Sequence, residues 1–252
     1  VFPANYFPDN MPLSNVLAGF PNLSSTSVQG TLAYNDLIQE NEALLETDYL
    51  KNGIRPIMTN VSPAYEIWTS SKEIRVPEDV KGLKIRTPGG IANEVYQELG
   101  ATPVSVAHPE TYEALEKGVI EAASYSSVAV EASGTIELLD YAMFPHLGTA
   151  IHGIVINENV WQGLPEDIQK AMMEAGQEMV KSSGEKYDAD TKAFNEEFAK
   201  QGTIVELTEE EDAQWIKAYD EFTKKWLEDH KSDGHPYEEV LNAYKENLKK
   251  YQ

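Results

Sequence analysis

Arg86 is the residue whose type and setting most directly offer chemistry. It ends the strand-like run 81–86, just before Thr87-Pro88-Gly89-Gly90 leads into a helical pattern. Backbone N–H groups and the positive end of the dipole at such a terminus favour anions, and a guanidinium grips a carboxylate through two parallel hydrogen bonds. The pattern fits an acid-binding site. On local grounds it fits at least as well a surface Arg paired with a neighbouring acid, a contact worth little in itself. His230 and His235 flank Ser232-Asp233-Gly234, which a polar turn explains without a metal. No phosphate loop, dinucleotide-binding glycine triplet, paired-histidine zinc helix, EF-hand loop or nucleophile elbow occurs, so no catalytic residue, cofactor or metal is assigned.

The elements that must position Arg86 belong to a chain of 252 residues, enough for one large domain or two modest lobes. Lys and Arg number 20 against 42 Asp and Glu, a formal charge of −22 that repels nucleic-acid backbones and anionic membrane surfaces. No apolar run approaches the roughly 18 residues of a membrane span, so stable membrane insertion is not expected. Cysteine is absent, which removes thiol nucleophiles, disulfides and zinc–thiolate sites. The opening Val1-Phe2-Pro3 has neither Met nor a signal-peptide pattern, and is expected to follow processing, trimming or the loss of upstream residues.

Prolines 3, 8, 12 and 21 favour extended segments and turns over residues 2–27. A helical pattern over 31–49 stops near Asn52-Gly53, and 54–58 and 65–69 have strand composition. Beyond Arg86, a helix over 91–99, a strand at 104–106, a helix opened by Pro109 and a strand at 119–123 alternate. Such alternation predicts an α/β fold with a largely parallel sheet and ligands at the carboxyl ends of its strands. A further strand is read at 151–157. Residues 165–200 read as one helix of roughly 50 Å, with Ile168, Met172, Ala175 and Met179 on an early apolar face and Phe194 and Phe198 on a later one. A helix bridging two lobes explains both faces. Thr208 to Glu211 forms a capping box before Trp215, Tyr219, Phe222 and Trp226, whose spacing marks a core-facing stripe.

Three stretches then carry a resemblance. Val80-Lys81-Gly82-Leu83-Lys84-Ile85-Arg86-Thr87, Leu99-Gly100-Ala101-Thr102-Pro103 and Glu110-Thr111-Tyr112-Glu113-Ala114-Leu115-Glu116-Lys117-Gly118-Val119-Ile120-Glu121 resemble, in order and spacing, the solute-binding proteins of TRAP (tripartite ATP-independent periplasmic) transporters of the dicarboxylate-binding-protein type. Tyr6-Phe7-Pro8, Ser71-Lys72-Glu73-Ile74 and Leu164-Pro165-Glu166-Asp167-Ile168-Gln169 extend the similarity over nearly the whole chain. It implies a two-lobed α/β binding protein of periplasmic-binding-protein type with a long helix under both lobes. Such a protein is not an enzyme. It closes on a small organic acid and delivers it to TRAP membrane permease subunits, from the periplasm or another extracytoplasmic position, lipid-anchored before processing.

By the same resemblance, residues 1–63 and 152–191 form lobe I, lacking an N-terminal part, and 64–151 and 192–252 form lobe II. Arg86 is implied to bind the ligand carboxylate, and Tyr65, Trp68, His108 and Tyr125 fall at or near family ligand positions, with ordinary core packing the other reading of Tyr65 and Trp68. Two departures bear on the ligand. Glu66 stands where many members carry Arg, and Ser124, Tyr125 and Ser126 replace an acidic residue, Asn and Pro. A carboxylate in the cleft at Glu66 would repel a second ligand carboxylate, which favours a monocarboxylate. A ligand-sensing protein that engages a receptor and a carboxylate-pair hydrolase are the competing readings. No motif singles out a carboxylate pair for the latter.

Overall fold

The computed structural model describes residues 2–4 and 7–252; Val1, Asn5 and Tyr6, and with Tyr6 part of the Tyr6-Phe7-Pro8 match, lie outside them. After a short strand β1 (Phe2–Pro3), the proline-rich opening departs from the expected extended course and forms helix α1 (Pro12–Gly19). Pro12 sits in the first turn, where a missing N–H costs nothing. The other free donors of that turn are met from 34 residues away, as Asp48 accepts the N–H of Ser14 at 2.6 Å and, with its other oxygen, that of Leu13 at 3.3 Å. Helix α2 (Ser27–Glu40) is capped by the Thr26 hydroxyl and followed by the short α3 (Glu42–Leu44).

Strand β2 (Ile54–Val61) completes a three-stranded antiparallel sheet of order β1-β8-β2, where β8 is Ile151–Asn157. Between them the chain builds most of a second sheet. This part comprises β3 (Glu66–Thr69), β4 (Lys84–Thr87), α4 (Ile91–Glu98), β5 (Thr102–Ser105), α5 (Thr111–Glu116), β6 (Ala122–Tyr125), α6 (Ser127–Ser133) and β7 (Tyr141–Met143). Beyond β8 come α7 (Glu158–Gln162), α8 (Glu166–Phe198), β9 (Thr203–Val205), α9 (Glu209–Asp229) and α10 (Tyr237–Lys249). The second sheet has the order β5-β4-β6-β3-β7-β9.

That sheet is mixed where a largely parallel one was expected: β4 runs parallel to β5 and β6, but β3 is antiparallel to both β6 and β7. The cause is the crossing between sheets. The chain enters through β3 at the rim formed by the carboxyl ends of β4, β6 and β7, so β3 must run away from that rim. The two crossing segments pair with each other, through Ser62 N–H to Ala150 O, Tyr65 N–H to Gly148 O and Leu147 N–H to Tyr65 O, all at 2.7–2.8 Å.

Helix α8 lies under both sheets. Near its start Gly176 allows the closest approach, since a Cβ there would stand 2.0 Å from the carbonyl oxygen of Ile57 in β2. Near its end Phe194 and Phe198 meet the ring of Trp68 at 5.8 and 5.1 Å between centroids. The α9 stripe of Trp215, Tyr219, Phe222 and Trp226 is buried as expected. Helix α10 returns to α1 and α2, with Tyr244 Oη donating to Gly30 O and Gln29 Nε2 to Leu248 O. Residues 237–249 therefore pack on elements that the sequence division assigns to the other lobe.

Candidate functional site

Alternation along β4 decides where Arg86 points. Ile85 enters one core, and Arg86 shares the opposite sheet face with its register partner Ala123, with Tyr125 two residues further along β6, and with Glu66 opposite Tyr125 on β3. The Arg86 side chain is only 3% exposed. Its guanidinium lies 4.2 Å from the centre of the Tyr125 ring, Nε donates to Val106 O at 3.2 Å, and Nη1 donates to Ser124 O at 3.3 Å. The Tyr125 hydroxyl is itself held at 2.7 Å by Thr111 Oγ1.

No carboxylate pairs with Arg86 among the described residues. The contrast with the other two arginines is sharp: Arg55 grips Glu158 through two bonds of 2.7 Å, and Arg75 grips Glu211 at 2.6 and 3.0 Å. In a chain with twice as many acids as bases, a buried guanidinium supplied only with carbonyls and a ring face is left with unused donor capacity for an anion. It borders a cavity of about 460 Å³ lined by the turn at Thr87, Pro88 and Gly89 and by residues 105–109. His108 stands in that lining, its ring 5.3 Å from Tyr125. Burial, and then the charge of Arg86, lower its pKa from the usual imidazole value. Near neutral pH His108 is thus an uncharged hydrogen-bonding wall, and Arg86 supplies the charge.

The remaining sequence candidates fall in different places. Tyr65 is half-buried in the first crossing segment. Trp68, a candidate for the ligand-facing wall, is fully buried between the sheet and α8, where its Nε1–H donates to Tyr125 O at 2.8 Å. It supports the site from beneath. Ser124 lies between Ala123 and Tyr125, so its side chain turns to the other face toward Tyr96, and only its backbone carbonyl reaches Arg86. Glu66 is 6% exposed, and both its oxygens are engaged by His146, Oε2 by the backbone N–H at 2.9 Å and Oε1 by Nδ1 at 2.7 Å. The free cleft carboxylate expected there is an imidazole–carboxylate pair.

Sequence reasoning missed His146, which lies 80 residues from its partner. It also missed a second cavity, of about 110 Å³, where Glu66 and His146 meet Ser127, Phe144, the loop at residues 24–27 and the α8 residues Asp188, Thr191 and Asn195. The run Ser24-Ser25-Thr26-Ser27 was the available signal for a polar wall. Asp188 holds that loop by accepting the N–H groups of Ser27 at 2.7 Å and Val28 at 3.1 Å. His230 stacks on Trp226 with ring centroids 3.9 Å apart and takes part in the turn. No helix among the described residues is long and apolar enough to cross a membrane.

Two sheets joined by a doubled crossing and a long shared helix make a two-lobed α/β fold, with a buried Arg86 at its rim that has no acidic partner among the described residues. The family model of DctP, the bacterial extracellular solute-binding proteins of family 7, matches residues 28–229, and the chain belongs to that family. Among curated relatives, the ectoine-binding periplasmic protein TeaA of Halomonas elongata is 24% identical over 241 residues, covering 92% of this chain and 68% of the relative. The C4-dicarboxylate-binding periplasmic protein DctP of Rhodobacter capsulatus is 28% identical over 164 residues, covering 60% of this chain and 46% of its own length. The chain thus spans from about half to two thirds of these relatives. A TRAP solute-binding protein from Rhodoferax ferrireducens T118, solved with copurified benzoate, superposes with a TM-score of 0.86 at 22% identity over 98% of this chain and 77% of that one.

Proposed function

We propose that this protein captures a small organic acid by one carboxylate, with Arg86 as the gripping residue, and hands it to TRAP membrane permease subunits outside the cytoplasmic membrane. The observation that carries the proposal is the guanidinium of Arg86, buried, without an acidic partner among the described residues, and open to the cavity beside His108. Tyr125 beneath it and His108 beside it make an aromatic wall suited to a ligand with a ring or an apolar portion. Tyr65 borders the same rim from the crossing segment. Benzoate in the Rhodoferax relative is a monocarboxylate of this kind, whereas the Rhodobacter relative is described as binding C4-dicarboxylates. A monocarboxylate is favoured here because the second cavity offers Glu66 and Asp188 where a second carboxylate would need cations. Lobe I is assigned to residues 1–63 and 152–191 and lobe II to 64–151 and 192–252, with α10 reaching back across the division.

Calorimetry on ligand-stripped protein with a panel of monocarboxylates tests the grip. Arg86→Lys keeps the charge but loses the fork geometry, and affinity should fall by roughly ten- to a hundredfold, the worth of one charge-assisted hydrogen bond. Unchanged affinity would remove Arg86 from the site.

A further inference from the structure

His146 is held in an unusual way. Its φ of +56° is in the left-handed region that few non-glycine residues enter, Asn, Asp and His more often than the rest. Three bonds fix it there: its N–H and Nδ1 to the two oxygens of Glu66, and its carbonyl to the N–H of Asn22 at 2.8 Å. Backbone strain sustained by this many contacts is characteristic of functional positions. The pair is also asymmetric, with the Glu66 side chain 8% exposed and that of His146 43% exposed, so the imidazole is the member that solvent and ligands meet. Its Nε2 makes no hydrogen bond among the described residues. Strand geometry places Glu66 two strands and two residues from Arg86 on one sheet face, about 12 Å between Cα atoms.

We propose that His146 reads the end of the ligand opposite its carboxylate, hydrogen-bonding through Nε2 to a neutral hydroxyl, while Glu66 fixes the ring from behind. This rests on the reading of Arg86 as the carboxylate grip. The acids around the imidazole set the preference. Glu66 on β3 and Asp212 on α9 act on the ring, and Asp188 on α8 lines the same cavity, so a second ligand carboxylate is disfavoured relative to a hydroxyl. Coulombic attraction to Glu66 and the hydrogen bond to it raise the His146 pKa above the usual imidazole value, which extends upward the pH range in which both ring nitrogens carry a proton.

The test uses two matched series, benzoate with meta-hydroxybenzoate and isophthalate, and valerate with its terminal hydroxy acid and glutarate. His146→Asn retains tolerance of positive φ and a donor toward Glu66 but lacks the far ring nitrogen, whereas His146→Gln places an amide N–H near the Nε2 position. Wild-type protein should prefer the hydroxy acid over its unsubstituted parent by roughly tenfold in at least one series. His146→Asn should lower affinity for the hydroxy acid by roughly tenfold more than affinity for its parent, erasing that preference, and His146→Gln should restore part of it. Ligand-induced change in the ¹⁵N shift of His146 Nε2 with the hydroxy acid, and none with its parent, is the spectroscopic counterpart. An unchanged preference in His146→Asn, equal loss of both acids, or a wild-type preference for the dicarboxylate overturns the proposal and leaves Arg86 untouched. Binding of no acid in either series by wild-type protein overturns both.

Discussion

Asp48 shows how a single buried acid ties stability to pH. It accepts from Leu13 N–H, Ser14 N–H and the Ser14 hydroxyl, yet burial outweighs these bonds and raises its pKa from 3.8 to about 6. Between those values the folded chain holds a proton that the unfolded chain has lost, so this residue's contribution to stability falls as pH rises from about 4 to about 6. Asp48→Asn carries no charge to bury. Its Tm should therefore gain on that of wild type as pH rises through this window, and a difference independent of pH would refute the argument. The Glu66–His146 pair acts on the basic side. With the His146 pKa raised in the folded protein, its stabilisation is complete below the usual imidazole value and disappears as pH rises through the folded one. In Glu66→Gln the NMR titration midpoint of His146 should move down, because the first cause of the rise is removed.

At the scale of elements, α8 illustrates what sequence periodicity can and cannot tell. Its length and its later apolar face were legible, and Phe194 and Phe198 meet Trp68 where a second core was expected. The early face read at Ile168, Met172, Ala175 and Met179 was not the buried one: Ile168, Ala175 and Met179 are exposed, and Gly176, Val180 and Gly184 are buried instead, the glycines small enough for close backbone approach. The reason for Gly176 was not legible, because it depends on the carbonyl of Ile57 on another element. Gly176→Ala would drive a methyl group into that backbone. It should cost on the order of 1–3 kcal/mol despite the better helix propensity of Ala, visible as a lower denaturant midpoint. Helix α1 was misread for a related reason, since four prolines are a local signal and the Asp48 cap comes from distant sequence. The direction of β3 depends on where the chain crosses between sheets, which composition does not record. Arg86 was legible because strand, glycine turn and helix are contiguous. Its lack of an acidic partner among the described residues, and the imidazole on Glu66, became visible only when strands far apart in sequence came together.

For the whole molecule, the joint between the sheets consists of the paired segments 62–65 and 147–150, with α8 passing beneath. Gly148 is fixed at that joint: its φ is +96°, and a Cβ would stand 2.8 Å from Ala18 O at the end of α1. Any larger residue would separate α1 from the crossing. Rotation about these segments brings the Arg86 rim toward the loop at residues 24–27, so ligand should compact the protein. Small-angle scattering on stripped and saturated samples should show a smaller radius of gyration with ligand. Identical curves would contradict closure.

The position of Trp68 has an optical consequence. Its indole N–H holds the carbonyl of Tyr125, whose ring carries the Arg86 guanidinium on its face, while its own ring meets Phe144 and the α8 aromatics Phe194 and Phe198. One chromophore therefore touches both the floor of the acid-gripping rim and the helix shared by the two sheets. Trp161, Trp215 and Trp226 lie on α7 and α9, away from this contact chain. Intrinsic emission from Trp68 should consequently change in wavelength or yield when an acid occupies Arg86. A Trp68→Phe variant that still binds should lose that signal, giving the protein a built-in gauge of occupancy that needs no attached dye.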